Sequence, residues 1–565
     1  MGYGNSGGEF TPRDKLMQRW MSLKNERSTW DSHWREISDY MLPRSGRFFS
    51  KKVNDGGKVH NNIYDNTGTM ALRTLAAGMM AGMTSPARPW FRLATQDEDL
   101  MDSTDVKLWL HNVTRLMLHI FSRSNTYRSL HSMYEELGAF GTGASIITAD
   151  FNTVIHHHPL TIGEYAVMTN SKGRVDTLYR EIEMTVGQLV KEFGIENVCQ
   201  ATHDAYHAGN LDHYKTVIHA IEPREDRDLR KKDNQNMAFK SCYFEYSSTE
   251  NMLLRHSGFE EFPAVAPRWS VAGGDIYGLS PGMEALGDIK QLQHEQLRKA
   301  QGIDYQTKPP MQVPTSMKNQ AVNTLPGGIT YVDTQTQNAG IRSAFEVNLN
   351  LNYLLEDIQD VRGRIRGGFY ADLFLMLQGQ DTGRMTATEV AERHEEKLLM
   401  LGPVLERLHN ELLQPLIDVT FDQMIKAGVV PPPPPELNEQ ELDVEFVSML
   451  SQAQKAVGTN SVDRFVGSLG MVAQMNPEVL DKFNTDEWAD AYSDMLGVDP
   501  NLITSNTQVA RVREARAEQQ QAAMQAEQMN QGADTAQKLA GVPTRGGQSN
   551  AGTDIMDNLM GYTGV

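Results

Sequence analysis

The sequence has little cysteine and no long hydrophobic run. Cys199 and Cys242 are its two cysteines in 565 residues, too few for a disulfide framework and compatible with a reducing compartment. A membrane-spanning helix needs roughly 18–20 apolar residues. The nearest candidate, Leu75–Met83, is about half that length and is flanked closely by Arg73 and Arg88. We therefore predict no membrane segment.

An excess of basic residues is also missing. The chain carries 53 Lys and Arg against 72 Asp and Glu, which gives a net charge of -19. Proteins that coat nucleic acid by non-specific attraction need clustered cations. This composition excludes that class. It does not exclude a protein that surrounds DNA without holding it tightly.

Motifs that carry chemistry are absent or incomplete. There is no phosphate-binding loop of the GxxxxGK[ST] type and no GxSxG turn. The glycine-rich segment Gly138–Gly143 follows a predicted helix and precedes a predicted strand, the reverse of a dinucleotide fingerprint. We therefore predict no catalytic residue and no cofactor.

Histidines supply the only hint of a metal. His203 and His207 are spaced to share one helix face, as zinc ligands often do, and His156–His158 are consecutive. No third ligand stands at a convincing spacing, so we predict no metal site. A metal hydrolase that uses His203 and His207 is kept as the enzyme alternative.

Periodicity predicts a helix-rich α+β protein. Helical spacing covers residues 10–41, 65–83, 106–122 and 127–140, and a β pattern follows from 155 to 184. Ser280 and Pro281 then have the residue types of an N-cap and first helical position, for a helix that reaches Tyr305. A chain of this length exceeds one compact core, so we expect three or more regions.

One predicted helix is unusually long. Thr386 and Glu389 form a capping box, and apolar residues recur from there to about Ala427. Such a helix spans about 60 Å. The Gly402-Pro403 pair and Pro415 should bend it, since proline removes a backbone donor and clashes with the preceding turn. The prolines at 431–435 then predict a stiff extended spacer.

The C-terminal part changes in composition. Residues 440–505 read as a second helical region, and residues 506–531 as a polar Ala/Gln-rich helix that is marginal alone. Neighbouring copies packed side by side could hold that helix. Residues 532–565, rich in Gly, Thr, Asn and Ser, are predicted to be disordered.

A local cluster of arginines interrupts the acidic background. Arg362, Arg364 and Arg366 lie in one predicted helix, and Arg384 follows. They are candidates for contact with phosphates or an acidic partner. The alternative is salt bridges within or between subunits, or a solvated face. The sequence leaves both open.

Four segments in order resemble the portal proteins of short-tailed bacteriophages, also called head-to-tail connectors. They are DNTGTMALRTLAAGMMAGMTSPARPWFRL, ELGAFGTGAS, IYGLSPGMEALGDIKQL and RMTATEVAERHEEKLLMLGPVLERLHNELLQPLIDV. The resemblance covers roughly residues 10–520. It implies a ring, usually of about twelve subunits, at one capsid vertex.

The resemblance also implies a division of the chain into named regions. These are, by residue number, a flexible N-terminus (1–9), wing (10–279), first stem helix (280–305), clip (306–345), second stem helix (346–370), tunnel loop (371–385), long bent wing helix (386–430), polyproline linker (431–438), crown (439–505), C-terminal helix (506–531) and disordered tail (532–565).

The partners implied are the terminase, which drives DNA through the ring, then tail adaptor proteins, with major capsid and scaffolding proteins around it. Double-stranded DNA would pass without sequence-specific contacts, and an acidic tunnel wall would repel it enough to let it slide. The location implied is the virion, with the host cytoplasm during assembly. The structural alternative is another virion protein, such as a tail adaptor or an internal ejection protein.

Overall fold

The structure is a computed structural model that describes part of the 565 residues. The ranges are 11–48, 62–97, 103–228, 233–313, 341–343, 351–377, 400–437, 442–447, 465–472, 483–496 and 506–540, with a few single residues between them. The chain divides into two units. The first is Met1–Gln96 with Trp109–Lys482, and the second is Asp97–Leu108 with Phe483–Val565.

Helices outnumber strands in the described ranges. The helices are α1 Pro12–Tyr40, α2 Thr67–Met83, α3 Thr104–Arg123, α4 Thr126–Phe140, α5 Val186–Phe193, α6 Gln200–His207, α7 Pro281–Thr307, α8 Leu351–Gly368, α9 Ala371–Leu377, α10 over residues 400–426, α11 over residues 465–472, α12 Thr485–Leu496 and α13 Asn506–Ala540.

The strands fall before and after the long helices. They are β1 Phe91–Thr95, β2 Ala144–Asp150, β3 Val154–Leu160, β4 Tyr165–Thr169, β5 Val175–Thr185, β6 Tyr214–Pro223, β7 Phe239–Glu245, β8 Arg255–Phe259, β9 Ala264–Val265, β10 Met311–Gln312, β11 Arg342–Ser343 and β12 Leu442–Phe446. The predicted helix-rich α+β class is confirmed.

The largest sheet is a five-stranded antiparallel meander in the order β4-β5-β6-β7-β8. Alternating residues give it two apolar faces. One face packs against α1, where Trp20 stacks on Tyr179 with ring centroids 6.3 Å apart. The other face packs against α5, through Leu189 and Phe193. The sheet is therefore buried on both sides in its middle.

A second, three-stranded sheet has the order β3-β2-β9 and packs on α4. Gly141 ends α4 with φ at +80°, a left-handed conformation that favours glycine. A Cβ at Gly141 would lie 2.1 Å from the carbonyl oxygen of Gly278. This close approach brings the start of α7 against the end of α4.

The glycines of α2 lie where the helix packs closely against its neighbours. Gly78 and Gly82 are buried on the helix that carries them. A Cβ at Gly78 would meet Phe374 of α9 at 2.1 Å from the ring carbon Cγ. The helix is buried in protein, and no helix in the described ranges is long and apolar enough to cross a membrane.

Three boundaries predicted from sequence are wrong. Residues 371–377, expected to begin a loop, form α9, in which Leu373 and Phe374 are buried. Residues 442–446, placed in a helical region, form β12 and pair with β1. Helix α13 continues to Ala540, nine residues past the predicted end. In each case, packing or helix propagation extends regular structure into polar or short segments.

Other predictions lie partly outside the described ranges. Residues 1–10, 49–61, 378–399, 448–464 and 541–565 are among those not described. The N-terminal segment, the capping box of Thr386 and Glu389, and the tail beyond 540 therefore stay predictions. Within the second unit, α13 is exposed over residues 510–531, and its Arg513 pairs with Asp486 of α12.

We predict that Gly78→Ala lowers the free energy of unfolding by about 1–3 kcal/mol, because the new methyl group overpacks the Phe374 ring. The matched control is Gly287→Ala in α7, where a Cβ would meet nothing within 4 Å. That change should raise stability by about 0.5–1 kcal/mol through helix propensity. Urea denaturation of the monomeric chain measures both. Equal effects would contradict the packing argument.

Candidate functional site: the helix pair and the bent long helix

Helices α7 and α8 form an antiparallel pair. Arg364 contacts Asp288 and Gln291, and Gly368 faces Ala285, so one helix descends as the other returns. Their buried faces carry branched apolar residues at helical spacing. These are Leu286, Ile289, Leu292, Ile358, Val361 and Ile365. The chain between the two helices includes the short β10–β11 pair.

Asp65 joins this helix pair to the start of α2. Its carboxylate accepts hydrogen bonds from Arg362 at 2.7 Å, from Gln296 at 2.9 Å and from Thr67. The amide of Gln293 adds two-way bonds with the Asp65 backbone. Burial alone would raise the pKa of Asp65, but the bonds from Thr67 and Arg362 outweigh it and lower the pKa. The group is a fixed anion at neutral pH.

The predicted arginine cluster separates into different roles. Arg362 pairs with Asp65, and Arg364 pairs with Asp288 at 3.3 Å and Asp360 at 3.2 Å. The salt-bridge interpretation therefore holds for these two. Arg366 is exposed and makes no ion pair within the described residues. Arg384 lies outside the described ranges.

The carboxyl groups of Glu295 on α7 and Asp357 on α8 face each other across the helix pair. Burial raises the pKa of Glu295 on α7, and the neighbouring Asp357 on α8 raises it further, against a hydrogen bond from Gln291. Arg364 also acts against this rise. The outer surface of the pair thus carries charges of both signs.

The long helix is described from residue 400 and is interrupted by a π-helical segment, His409–Leu413. The amide of Gln414 bonds to the carbonyl oxygen of His409, five residues back. Pro415 follows directly, and it has no amide hydrogen to donate to a regular turn. The wider turn accommodates this missing donor. The structure shows a π segment just before Pro415, and the bend predicted there stays a prediction.

Gly402 and Pro403 stand in the first described turn of the same helix. Residues 400–408 are α-helical through both positions. The turn that precedes Pro403 begins before residue 400, so the bend predicted there stays a prediction.

The π segment is held in place by a buried ion pair. Arg268 is 3% exposed and binds the Glu411 carboxylate through Nη2 at 2.7 Å and Nε at 3.1 Å. Its backbone N–H also donates to Glu411, and its Nη2 donates to the carbonyl of Gly173 at 2.7 Å. A bidentate pair fixes both position and direction. Sequence reasoning missed it, since 143 residues separate the partners.

A second contact ties the π segment to the β1–β12 sheet. The His409 ring stacks on Phe446 with centroids 4.2 Å apart and an interplanar angle of 3°. Burial lowers the pKa of His409 to about 4, so the ring is neutral at physiological pH. The segment therefore contacts the sheet directly and is linked to the Gly173 turn through Arg268.

Within the described residues, the histidines singled out in the sequence belong to no group that could hold a metal ion. The His203 and His207 rings are close, with centroids 4.5 Å apart. However, no group of three or more His, Cys, Asp or Glu side chains placed to hold a metal ion occurs in the described residues. Of His156–His158, only His157 is buried, and burial lowers its pKa to about 3.

Comparison with known sequences gives a consistent result. Residues 13–503 match the family described as bacteriophage head to tail connecting protein. The chain is 62% identical over 555 residues to the "Probable portal protein" of Bordetella phage BPP-1, covering 98% of this chain and 100% of that one. It is 47% identical over 524 residues to the "Portal protein" of Salmonella phage epsilon15, covering 93% and 94%.

Comparison with solved structures gives distant matches. A chain from the neck of an empty gene transfer agent particle aligns at 11% identity and a TM-score of 0.36, over 81% of this chain and 98% of that one. A chain from a native gene transfer agent virion aligns at 11% identity and a TM-score of 0.31, over 76% and 99%.

We predict that Glu411→Gln lowers the free energy of unfolding by about 3–5 kcal/mol, because it leaves the buried Arg268 cation without its counterion. The control is Arg407→Gln, which removes the more exposed partner of the same carboxylate at 3.3 Å and should cost less than about 1 kcal/mol. Urea denaturation measures both variants. Equal losses would show that burial of Arg268 is not what matters.

We predict that Arg362→Ala costs about 1.5–3 kcal/mol at pH 7, since Asp65 loses a charged hydrogen bond, whereas Arg366→Ala costs less than about 0.5 kcal/mol. The pKa of Asp65 is lowered in the folded chain, so its stabilising effect is full above the unfolded pKa of about 3.9. The free energy of unfolding lost on Arg362→Ala should become smaller only below about pH 4. Denaturation at several pH values tests this, and a loss that fades near pH 6 would contradict it.

Proposed function

Since this chain belongs to the bacteriophage head-to-tail connecting proteins, we propose that it assembles into a closed ring at one vertex of a phage capsid. The ring would be the channel through which DNA enters during packaging and leaves during ejection. The observation that carries the proposal is the family match, which spans nearly the whole chain rather than one segment. A ring of about twelve copies is the expected order.

The geometry supports a division of labour within each subunit. The antiparallel α7–α8 pair is suited to a stem, with the chain between the two helices as the clip. The sheets and helices of residues 11–279 are suited to a wing. The long helix α10, interrupted by its π segment, is suited to joining the wing to a crown formed from the residues that follow.

The partners we propose are those of a portal. The terminase would dock on the ring during packaging, and tail adaptor proteins would replace it afterwards. Major capsid and scaffolding proteins would surround the wing in the virion, after assembly in the host cytoplasm. The role of the chain is structural, and ATP hydrolysis would belong to the terminase.

The charge supports passage of DNA without tight binding. Each copy carries a net charge of -19, so a ring would present an excess of negative charge to a phosphate backbone. Some of the arginines that could bind phosphates instead form ion pairs within the subunit, as Arg362 does with Asp65. DNA would therefore slide, with few attachments to break.

We predict that electron microscopy of the purified chain, with scaffolding protein if needed, shows rings of about twelve copies with a central hole. Rings of a clearly different order would favour a tail adaptor or another virion protein. A chain that stays monomeric even with scaffold would overturn the proposal.

The same particles test the charge argument. Binding of short linear DNA should be weak, and a modest increase in salt should change it little, because few phosphates are neutralised. Tight binding with a steep salt dependence would contradict a sliding channel.

A further inference from the structure

The outer surfaces of α7 and α8 each carry one exposed polar stripe. On α7, the stripe runs through Glu284, Gly287, Gln291, His294 and Arg298, at alternating spacings of three and four residues. On α8, it runs through Glu356, Gln359, Gly363 and Arg366, at the same spacings. Such spacing keeps side chains on one helix face. We call these the α7 stripe and the α8 stripe.

The charges at the ends of each stripe have no ion-pair partner within the described residues. This holds for Glu284 and Arg298 on α7 and for Glu356 and Arg366 on α8. Arg364, in contrast, faces α7 and pairs with Asp288. Arg366 lies about 200° round the helix axis from Arg364, so it points away from α7. A partner for Arg366 must therefore come from outside this helix pair.

The charged residues of the two stripes lie at matching positions along the axis of the helix pair. Gly368 faces Ala285, and Arg364 reaches Asp288 and Gln291, so Arg366 lies level with about Gly287. It is thus within about 4.5 Å of the level of Glu284 along the axis. By the same count, Glu356 lies within about 1.5 Å of the level of Arg298.

The two stripes carry opposite charges at each level of the helix pair. The α7 stripe is negative at Glu284 and positive at Arg298, and the α8 stripe is positive at Arg366 and negative at Glu356. A second copy displaced sideways in the same orientation brings opposite charges together at both levels. A second copy turned upside down brings like charges together. The pattern therefore selects copies that point the same way.

Two different surfaces that complement each other make a head-to-tail contact, and such contacts form a ring when the rotation between copies closes. We propose that the α8 stripe of one copy packs against the α7 stripe of the next, with Arg366 beside Glu284 of the next copy and Glu356 beside Arg298 of the next copy. This inference rests on the proposed ring. It goes further by naming the residues of the seam between copies.

The glycines within the stripes support a close approach. A Cβ at Gly287 or at Gly363 would meet nothing within 4 Å in the subunit. A helix-interior glycine is less stable than alanine by about 0.5–1 kcal/mol, with no packing inside the subunit to offset it. At the seam, the missing side chains let the two backbones approach near the Arg366–Glu284 level.

The test is a charge swap in the full-length chain. Glu284→Arg and Arg366→Glu should each raise the concentration for half-assembly of rings by at least about tenfold, because each places like charges together. The double variant Glu284→Arg/Arg366→Glu should recover most of this loss. Mass photometry at several salt concentrations reads the ring fraction, and the recovered attraction should weaken as salt rises.

Two controls separate assembly from folding. All four side chains are exposed, so the variants should unfold in urea as the unchanged chain does. Lys191→Glu, an exposed charge reversal on α5, matches Arg366→Glu in charge and should leave assembly unchanged. Gly287→Ala should stabilise the monomer and yet weaken assembly, a combination that a merely structural role for this glycine does not give.

A cysteine pair gives an independent reading. In a Glu284→Cys/Arg366→Cys chain, oxidation should produce a ladder of linked copies, because the native Cys199 and Cys242 are both buried. Suppose the unchanged chain forms rings. If both single charge-reversal variants then assemble equally well, or the cysteine pair gives no ladder, the proposed seam is wrong and the proposed ring is unaffected. Failure of the unchanged chain to form rings overturns both.

Discussion

The arginine–carboxylate pair between Arg268 and Glu411 is the constraint on which the wing and the long helix both depend. Arg268 is placed just after β9 and bonds to three separate stretches of chain: the π segment through Glu411, the turn at Gly173, and the loop that leads into α7 through the carbonyl of Ile276. One buried cation thus organises the end of the sheet, the entry to the helix pair and the bend. Its removal leaves the carbonyls and the carboxylate without a common donor.

Asp65 has a similar role near the middle of α7, beside Gln293 and Gln296. It receives the Arg362 guanidinium from α8 and the Gln296 amide from α7, while the start of α2 forms around it. Because the carboxylate stays charged well into the acidic range, the joint between the three helices is electrostatic as well as apolar. The helix pair is therefore held at two places. Its outer surface carries charged side chains that have no ion-pair partner within the described residues.

Much of the fold follows from the sequence, because it rests on local signals. The start of α7 is one case: Ser280 caps the helix, accepting from the amide of Met283 at 3.0 Å, and Pro281 follows. The turn between β4 and β5 at Asn170–Gly173 is another, closed by a backbone bond of 2.9 Å. What local signals could not give were the long-range partners. Strand β12 is only five residues long, and its pairing with β1 joins segments that are distant in sequence. Arg268 and Glu411 likewise show no pattern that links them. The roles of Arg362 and Arg366 also differ only through neighbours that are distant in sequence.

The π segment in α10 has a consequence for how related sequences diverge. A π turn contains one residue more than the α turn it replaces. The wider turn absorbs this extra residue, so the apolar faces of the helix before and after it stay aligned. Loss of one residue between 409 and 413 would restore a regular helix without rotating the apolar faces on either side. Loss of one residue anywhere else in α10 would rotate every later face by about 100° and turn buried leucines toward solvent. A difference of one residue in the length of this helix is therefore accommodated best in this turn.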